Sequence, residues 1–215
     1  MIIVLEGAPA AGKTTTALHL VEHHDAFRIP EVNVLFPERP SPEPAHWYLA
    51  RQVERWALAK QSAAKLVLLD GDPYQPVWFS WMYPGRVRPA SWQAAVDYFE
   101  EHLEEVAAPA FSAHLSVDPD ERYRREVSRE RARGHDEATG DRKYARYVDF
   151  AGPQHAYFAA LNEAFPGAVV FFEATSATGV AAALLEHEPP PASDVRDVFA
   201  FMRSWLDQHD PQAFR

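Results

Sequence analysis

The chain has 215 residues, enough for one well-filled α/β domain and too short for two. Its net charge of −10, from 21 Lys and Arg against 31 Asp and Glu, argues against a nucleic-acid polymer or an anionic membrane as partner, because a phosphate backbone is held by a surplus of cations. The absence of cysteine excludes disulfides, thiolate metal sites and a thiol nucleophile. Nothing near Met1 reads as a signal peptide and no apolar run is long enough to span a bilayer, so a cytoplasmic protein is expected.

In chain order, Ile2 to Leu5 reads as a buried strand and Lys13 to His24 as the helix after it. Phe27 to Pro30 is a second short strand. PERPSPEP, from Pro37 to Pro44, is a loop, since prolines at that density exclude helix and ladder alike. Ala45 to Ala63 is a helix with Leu49, Val53 and Trp56 on one face, and Leu66 to Leu69 is a wholly apolar strand closed by Asp70 and Gly71. Trp92, Ala95, Val96, Phe99, Leu103 and Val106 hold helical spacing. Phe111 to Val117 is a strand, Pro119 to Arg133 an arginine-rich helix, Tyr144 to Phe165 another helix and Ala168 to Ala174 the last strand. Helices from Thr178 and from Ser193 complete the chain.

Strands that alternate with helices, and that are apolar on both faces, predict a parallel β-sheet flanked by helices. The expected organisation is one α/β domain over residues 1–215. A lid is expected over about 119–140, and the EPPPAS turn sets off a C-terminal helical appendage over about 193–210.

Gly7-Ala8-Pro9-Ala10-Ala11-Gly12-Lys13-Thr14 fits G-x-x-x-x-G-K-[ST] at every fixed position, between a buried strand and an amphipathic helix. Its glycines let the loop curl so that backbone N–H groups point at an anion, and the helix starting at Lys13 adds its positive end. Lys13 would reach the β- and γ-phosphates of a nucleoside triphosphate, with ATP expected. The Thr14 hydroxyl would ligate Mg²⁺, and Thr15 extends the nucleotide-binding set.

Three further signals bear on where the phosphate goes. Asp70 stands where a Mg²⁺-organising carboxylate is expected, at the carboxyl end of a parallel strand. Gly71 follows it, where a hydrolytic motor usually has a Glu to activate water; Asp72 is either a second site acid or a turn cap. In LSVDPDERYRREVSRERARGHDE, Arg122, Arg125 and Arg129 share a helical face and Arg131 and Arg133 follow. Such a run is either a solvated helix paired locally with Glu126 and Glu130, or a mobile lid that clamps a transferred phosphoryl group and excludes water. Glu31, after Pro30, is either a solvated loop acid or the base that accepts the proton of an attacking hydroxyl.

VLEGAPAAGKTTTA, the acid after the second strand, the strand ending in Asp70, and D-P-x-E-x-x-x-R-x-x-x-R-x-R around Pro119 to Arg131 together resemble the deoxynucleoside kinase and thymidylate kinase group of P-loop kinases. The resemblance covers most of the chain in order, with the phosphate loop as its one specific motif. It implies that Glu31 is the general base, that Arg125, Arg129 and Arg131 are lid arginines, and that Ala174 to Thr178 lies by the adenine. Two departures stand out. The kinases place Arg after the strand-three acid, where this chain reads D-G-D. Gln52 and Arg55 sit on the expected base-reading helix at a different mutual spacing.

The rings of Trp47, Tyr48 and the Pro73 to Pro84 segment could stack on a flat ligand or fill a core, and the ten histidines show no ligand spacing. The expected activity is ATP- and Mg²⁺-dependent phosphoryl transfer to a small-molecule acceptor, a nucleoside or nucleotide. Lys13, Glu31, Asp70, Arg125, Arg129 and Arg131 would carry the reaction, with Thr14 and Asp70 at the metal. An antibiotic-type small-molecule kinase and a nucleotide-binding switch or slow NTPase are the rival expectations, and a homodimer is allowed for.

Overall fold

The computed structural model describes residues 1–44, 46–85 and 91–215. Five strands are present among them: β1 (Ile2–Glu6), β2 (Ala26–Ile29), β3 (Leu66–Asp70), β4 (Phe111–Ser116) and β5 (Val169–Glu173). The helices are α1 (Lys13–His23), α2 (Val32–Leu35), α3 (Trp47–Gln61), α4 (Gln75–Met82), α5 (Trp92–Glu101), α6 (Pro119–Ala132), α7 (Glu137–Val148), α8 (Ala151–Ala164), α9 (Ala177–Glu186) and α10 (Val195–Gln208). A short 3₁₀ turn, Pro211–Phe214, follows α10.

All strand pairs are parallel, in the order β2-β3-β1-β4-β5. Successive side chains on a strand alternate between faces, so an apolar strand feeds two cores. Ile3, Leu5, Leu68, Phe111 and Leu115 pack with Leu20 of α1 and Val180 and Leu184 of α9. Val4, Val67 and Leu69 face the opposite way, into a larger core with α3, α4, α5, α8 and α10. The expected parallel sheet covered on both sides is the one observed. The terminal helix belongs to the larger core: Val198, Phe199, Met202 and Leu206 of α10 are buried there, and Arg203 reaches Asp97 and Glu100 of α5 at 2.5 and 2.6 Å.

The register places the site. Leu5 pairs with Asp70 and Ile29 with Leu69, so β1, β3 and β2 end level. Two residues beyond the last β2–β3 pair, Glu31 and Gly71 come to lie side by side.

Two expectations change. The segment from Tyr144 to Phe165 is two helices, α7 and α8, broken at Asp149 and Phe150. Pro153 cannot donate to the carbonyl of residue 149, so a helix has to restart there with proline in its first turn; burial of Phe150 anchors the break. The helix through Trp92 ends at Glu101, and the chain turns at His102, whose carbonyl accepts from Glu105 and Val106 N–H at 2.9 and 3.2 Å. The ring-rich Pro73 to Pro84 segment contains α4, with Trp78 and Trp81 buried in the larger core. Ala45, where the sequence starts the third helix, lies outside the described residues.

Candidate active site

The carboxyl ends of β1, β3 and β2 open into a cleft of about 1500 Å³. Its floor is the phosphate loop. Gly7, Ala10 and Gly12 have φ of 137°, 66° and 99°. At Gly7 a Cβ would sit 2.2 Å from the Leu115 carbonyl oxygen, so both the dihedral and the approach of β4 require glycine. Ala10 in the left-handed region costs an L-residue roughly 1–2 kcal/mol, which the loop's shape imposes. Gly12 caps α1 with no side-chain hydrogen bond, leaving the first-turn N–H groups for an anion. Lys13 lies across the loop, its ammonium donating to the Gly7 carbonyl at 2.7 Å. Pro9, Ala10, Ala11, Thr14 and Thr15 also line the cleft, while Ala8 is buried among apolar neighbours.

Glu6 has a role that sequence reading missed. Its carboxylate is buried beneath the loop, accepting from Gly7 N–H at 2.7 Å and Gln154 Nε2 at 2.9 Å on one oxygen and from Asp72 N–H at 2.8 Å on the other. It ties the phosphate loop to the β3 exit and to α8. Burial pushes its pKa up to about 7, against the pull of the nearby Lys13 charge.

The structure brings Thr14 and Asp70 together. The Thr14 hydroxyl donates to Asp70 Oδ2 at 2.8 Å, and Asp70 is fully buried. Arg28 of β2, which carries no motif of its own, donates to the same oxygen from Nε and Nη2 at 2.9 and 2.7 Å. Asp70 Oδ1 has no hydrogen-bond partner among the described residues. A buried, unsatisfied carboxylate oxygen next to a hydroxyl is the hard-oxygen donor set that suits Mg²⁺, so the residues fit that ion. Asp72 takes the turn-cap role instead: it accepts from Tyr74 N–H at 2.9 Å and Trp78 Nε1 at 2.8 Å. Burial holds its pKa above the usual carboxylate range.

Glu31 is exposed at the start of α2 and lines the cleft. A Cβ on Gly71, whose φ is 84°, would meet Glu31 Cγ at 3.2 Å and Oε1 at 3.3 Å. Behind them Arg55 of α3 is buried, donating from Nη2 to the Asp70 and Gly71 carbonyls at 2.9 and 2.8 Å and from Nη1 to Gln52 Oε1 at 2.7 Å. Tyr48 and Phe79 add rings to the same wall. Of the ring-bearing segments, these two face the cleft, and Trp78 and Trp81 fill the core.

The arginine segment forms α6, laid against α7. Arg125 donates to the Ala174 carbonyl at 3.2 Å and pairs with Glu121 at 2.8 Å; Arg129 pairs with Glu126, and both arginines line the cleft. Arg131 does not join them. It is exposed, pairs with Glu137 at 3.3 Å and lies outside the cleft lining, which takes Arg133 and Lys143 in its place. The helical spacing explains this: residue 133 is one turn beyond 129, while 131 faces away. The local pairing with Glu121, Glu126 and Glu130 is present, and Arg125, Arg129 and Arg133 line the cleft while making it. Buried Glu130 joins the two helices, accepting from Arg133, His135 and Lys143 at 2.8, 2.7 and 2.5 Å. Ala174, Ser176 and Ala177 border the cleft on the β5 side, where the resemblance sets the adenine.

No protein-family model matches the chain, and no curated protein matches it in sequence. Solved structures do share its outline. The deoxyadenosine kinase from M. mycoides with bound dATP aligns with a TM-score of 0.48 at 15% identity, over 86% of this chain and 97% of that one. The thymidylate kinase from Candida albicans aligns with a TM-score of 0.49 at 12% identity, over 94% and 92%. The YorR protein from Bacillus subtilis, in complex with phosphorylated GDP, aligns at 0.46 and 16% identity, over 86% and 94%. The likeness is one of fold. What the cleft does rests on its own residues.

Proposed function

We propose that the protein is an ATP-dependent phosphotransferase that moves the γ-phosphoryl group to a hydroxyl or phosphate of a small molecule, a nucleoside or nucleotide. One observation carries the reading. The sheet order β1, β3, β2 sets phosphate loop, Asp70 and Glu31 in a row along the rim of one cleft. A triphosphate held by the loop would point its terminal phosphate along that row, with Glu31 on the acceptor side. Arg125, Arg129, Arg133 and Lys143 supply positive charge over the transferring group. The second rim acid, Asp72, is bound to Trp78 and Tyr74 and has no freedom to activate water, which favours transfer over hydrolysis.

Thr14 and Asp70 would hold Mg²⁺, whose charge neutralises the phosphate oxygens. Lys13 leaves the Gly7 carbonyl for the β- and γ-phosphates. Glu31 takes the proton of an acceptor hydroxyl as its oxygen bonds to phosphorus and the bridging β–γ P–O bond breaks, releasing ADP. Gly71 in place of a following Arg also suits an antibiotic-type small-molecule kinase, so the acceptor panel includes both classes.

The test is ADP release with Mg·ATP across nucleosides, nucleoside monophosphates and hydroxyl-bearing antibiotics, with Lys13→Ala as control. One acceptor is expected to raise turnover well above basal hydrolysis. Glu31→Gln is expected to lower that turnover roughly 10²–10⁴-fold with nucleotide affinity retained, the range for a lost general base. Tight ATP binding with a flat panel would point to a nucleotide switch, and full turnover by Glu31→Gln would refute the base assignment.

A further inference from the structure

Arg28 lines the cleft and pairs with the acid expected to organise the metal. Its Nε and Nη2 both donate to Asp70 Oδ2, at 2.9 and 2.7 Å, and the Thr14 hydroxyl donates to that oxygen at 2.8 Å. The Asp70 side chain is 1% exposed and that of Arg28 18%, so the pair is formed largely out of water and is little screened. Asp70 therefore carries a full counter-charge in the protein's own ground state. A free divalent cation arriving at Asp70 gains little from a carboxylate already neutralised by a guanidinium. It would also stand beside the Arg28 charge, with Lys13 on the loop.

We propose that Arg28 is a positioning residue that holds the place of the metal's charge at Asp70, so that a divalent cation enters only together with the nucleotide's own phosphates. This rests on the Mg·triphosphate reading of the cleft. The triphosphate supplies negative charge that outweighs the guanidinium. It also gives Arg28 another anionic partner, because Arg28 lines the same cleft as Lys13, Thr14 and Thr15. In the free protein the guanidinium keeps one Asp70 oxygen occupied and leaves Oδ1 unpartnered. Metal and nucleotide then bind as one unit, and each weakens when the other is absent.

Mn²⁺ is the probe, its free concentration read by electron paramagnetic resonance on the full chain, with and without a non-hydrolysable ATP analogue. Wild type is compared with Arg28→Gln, which removes the charge, and Arg28→Lys, which keeps it. Without nucleotide, Arg28→Gln is expected to bind Mn²⁺ at least about tenfold more tightly than wild type, since removal of one charge at contact distance readily shifts a divalent ion's affinity by that much. Arg28→Lys is expected to stay close to wild type. With the analogue present, the gap is expected to shrink as wild-type Mn²⁺ binding tightens. Equal or weaker nucleotide-free binding by Arg28→Gln, with analogue binding intact in wild type, overturns the inference alone. A gain in Arg28→Lys as large as that in Arg28→Gln overturns it too, because charge would then not be the cause. Failure of the wild type to bind the analogue with Mn²⁺ refutes the triphosphate reading itself and the inference with it. A thermal melt accompanies each protein, and Arg28→Met serves as the neutral variant if Arg28→Gln is unfolded at the assay temperature.

Discussion

Glu6 makes the stability of the phosphate loop depend on pH around neutrality. Burial raises its pKa from the ordinary 4.5 to about 7, the Lys13 charge and two backbone N–H donors offsetting only part of that effect. A carboxyl whose folded pKa lies above its unfolded one stabilises the fold fully below the unfolded value, and that contribution is lost as pH rises through the folded value. The window is therefore from 4.5 to about 7. At about 1.4 kcal/mol per pH unit the displacement amounts to roughly 3 kcal/mol, or roughly 6–12 °C in Tm for a chain of this length. Glu6→Gln cannot ionise. Its amide loses an acceptor, a cost that does not vary with pH. Urea denaturation of both proteins between about pH 4.5 and 8 isolates the group from all other titrations. The wild type is expected to lose roughly 3 kcal/mol relative to Glu6→Gln across the window. A difference that stays flat within about 0.5 kcal/mol would refute the reasoning, showing that the three donors keep Glu6 ionised throughout. The same physics reaches nucleotide binding. A triphosphate that draws Lys13 away from Glu6 removes a charge that favours the carboxylate, so binding is expected to take up protons near neutral pH. Calorimetry in buffers of different ionisation enthalpy reads that uptake directly.

Gly7→Ala would put a methyl 2.2 Å from the Leu115 carbonyl at a φ of 137°, so a stability loss of roughly 3 kcal/mol or more and loss of nucleotide binding are expected in denaturation and fluorescent-ATP titrations. Gly71→Ala strains a residue at φ 84° by roughly 1–2 kcal/mol and crowds Glu31, so acceptor-stimulated turnover is expected to fall more than basal ADP release. Glu130→Gln loosens the α6–α7 pair, and several-fold faster tryptic cleavage within residues 119–148 is expected. The Glu130 pKa lies at about 2, lowered chiefly by Lys143 and then His135. The wild-type clamp is therefore complete above the ordinary carboxylate value of 4.5 and weakens as pH falls toward 2, a dependence that the variant should lack.

The parallel sheet was legible because β1, β3 and β5 are apolar runs without alternation, and a helix follows each of them. The phosphate loop was legible because a fixed spacing of glycines, lysine and threonine meets one geometric demand. Arg28 and Glu6 were not, for a shared reason. Each sits on a strand, and the partner that gives it a role lies on another strand or helix, so only the assembled sheet reveals the pairing. In the arginine run, composition announced a cationic helix, and helical spacing sets Arg129 and Arg133 on one face with Arg131 turned away. Lys143 on the cleft wall comes from α7, beyond what the spacing of the run can resolve. Gly152 and Pro153 did mark the break between α7 and α8, but helical spacing across it masked the signal.

Gly71 and Arg55 are best understood as two halves of one arrangement. A Cβ at residue 71 would crowd the Glu31 side chain, 3.2 Å from Cγ and 3.3 Å from Oε1, since β2 and β3 end level and place the two residues side by side. Glycine keeps that space open. The loop it makes is then weakly restrained by local sequence, because glycine at φ 84° has the widest conformational choice. Arg55 removes that freedom from behind: one nitrogen grips the carbonyls of both Asp70 and Gly71, and Gln52 orients the guanidinium on the other side. A buried guanidinium with no carboxylate in ion-pair reach among the described residues is costly unless its donors are satisfied. Two main-chain carbonyls and the Gln52 amide oxygen meet Nη2 and Nη1, while Nε has no hydrogen-bond partner among the described residues. The cation of this wall thus lines the cleft with its charge turned onto main-chain carbonyls, and the exposed acid beside it, which would meet an acceptor, is Glu31.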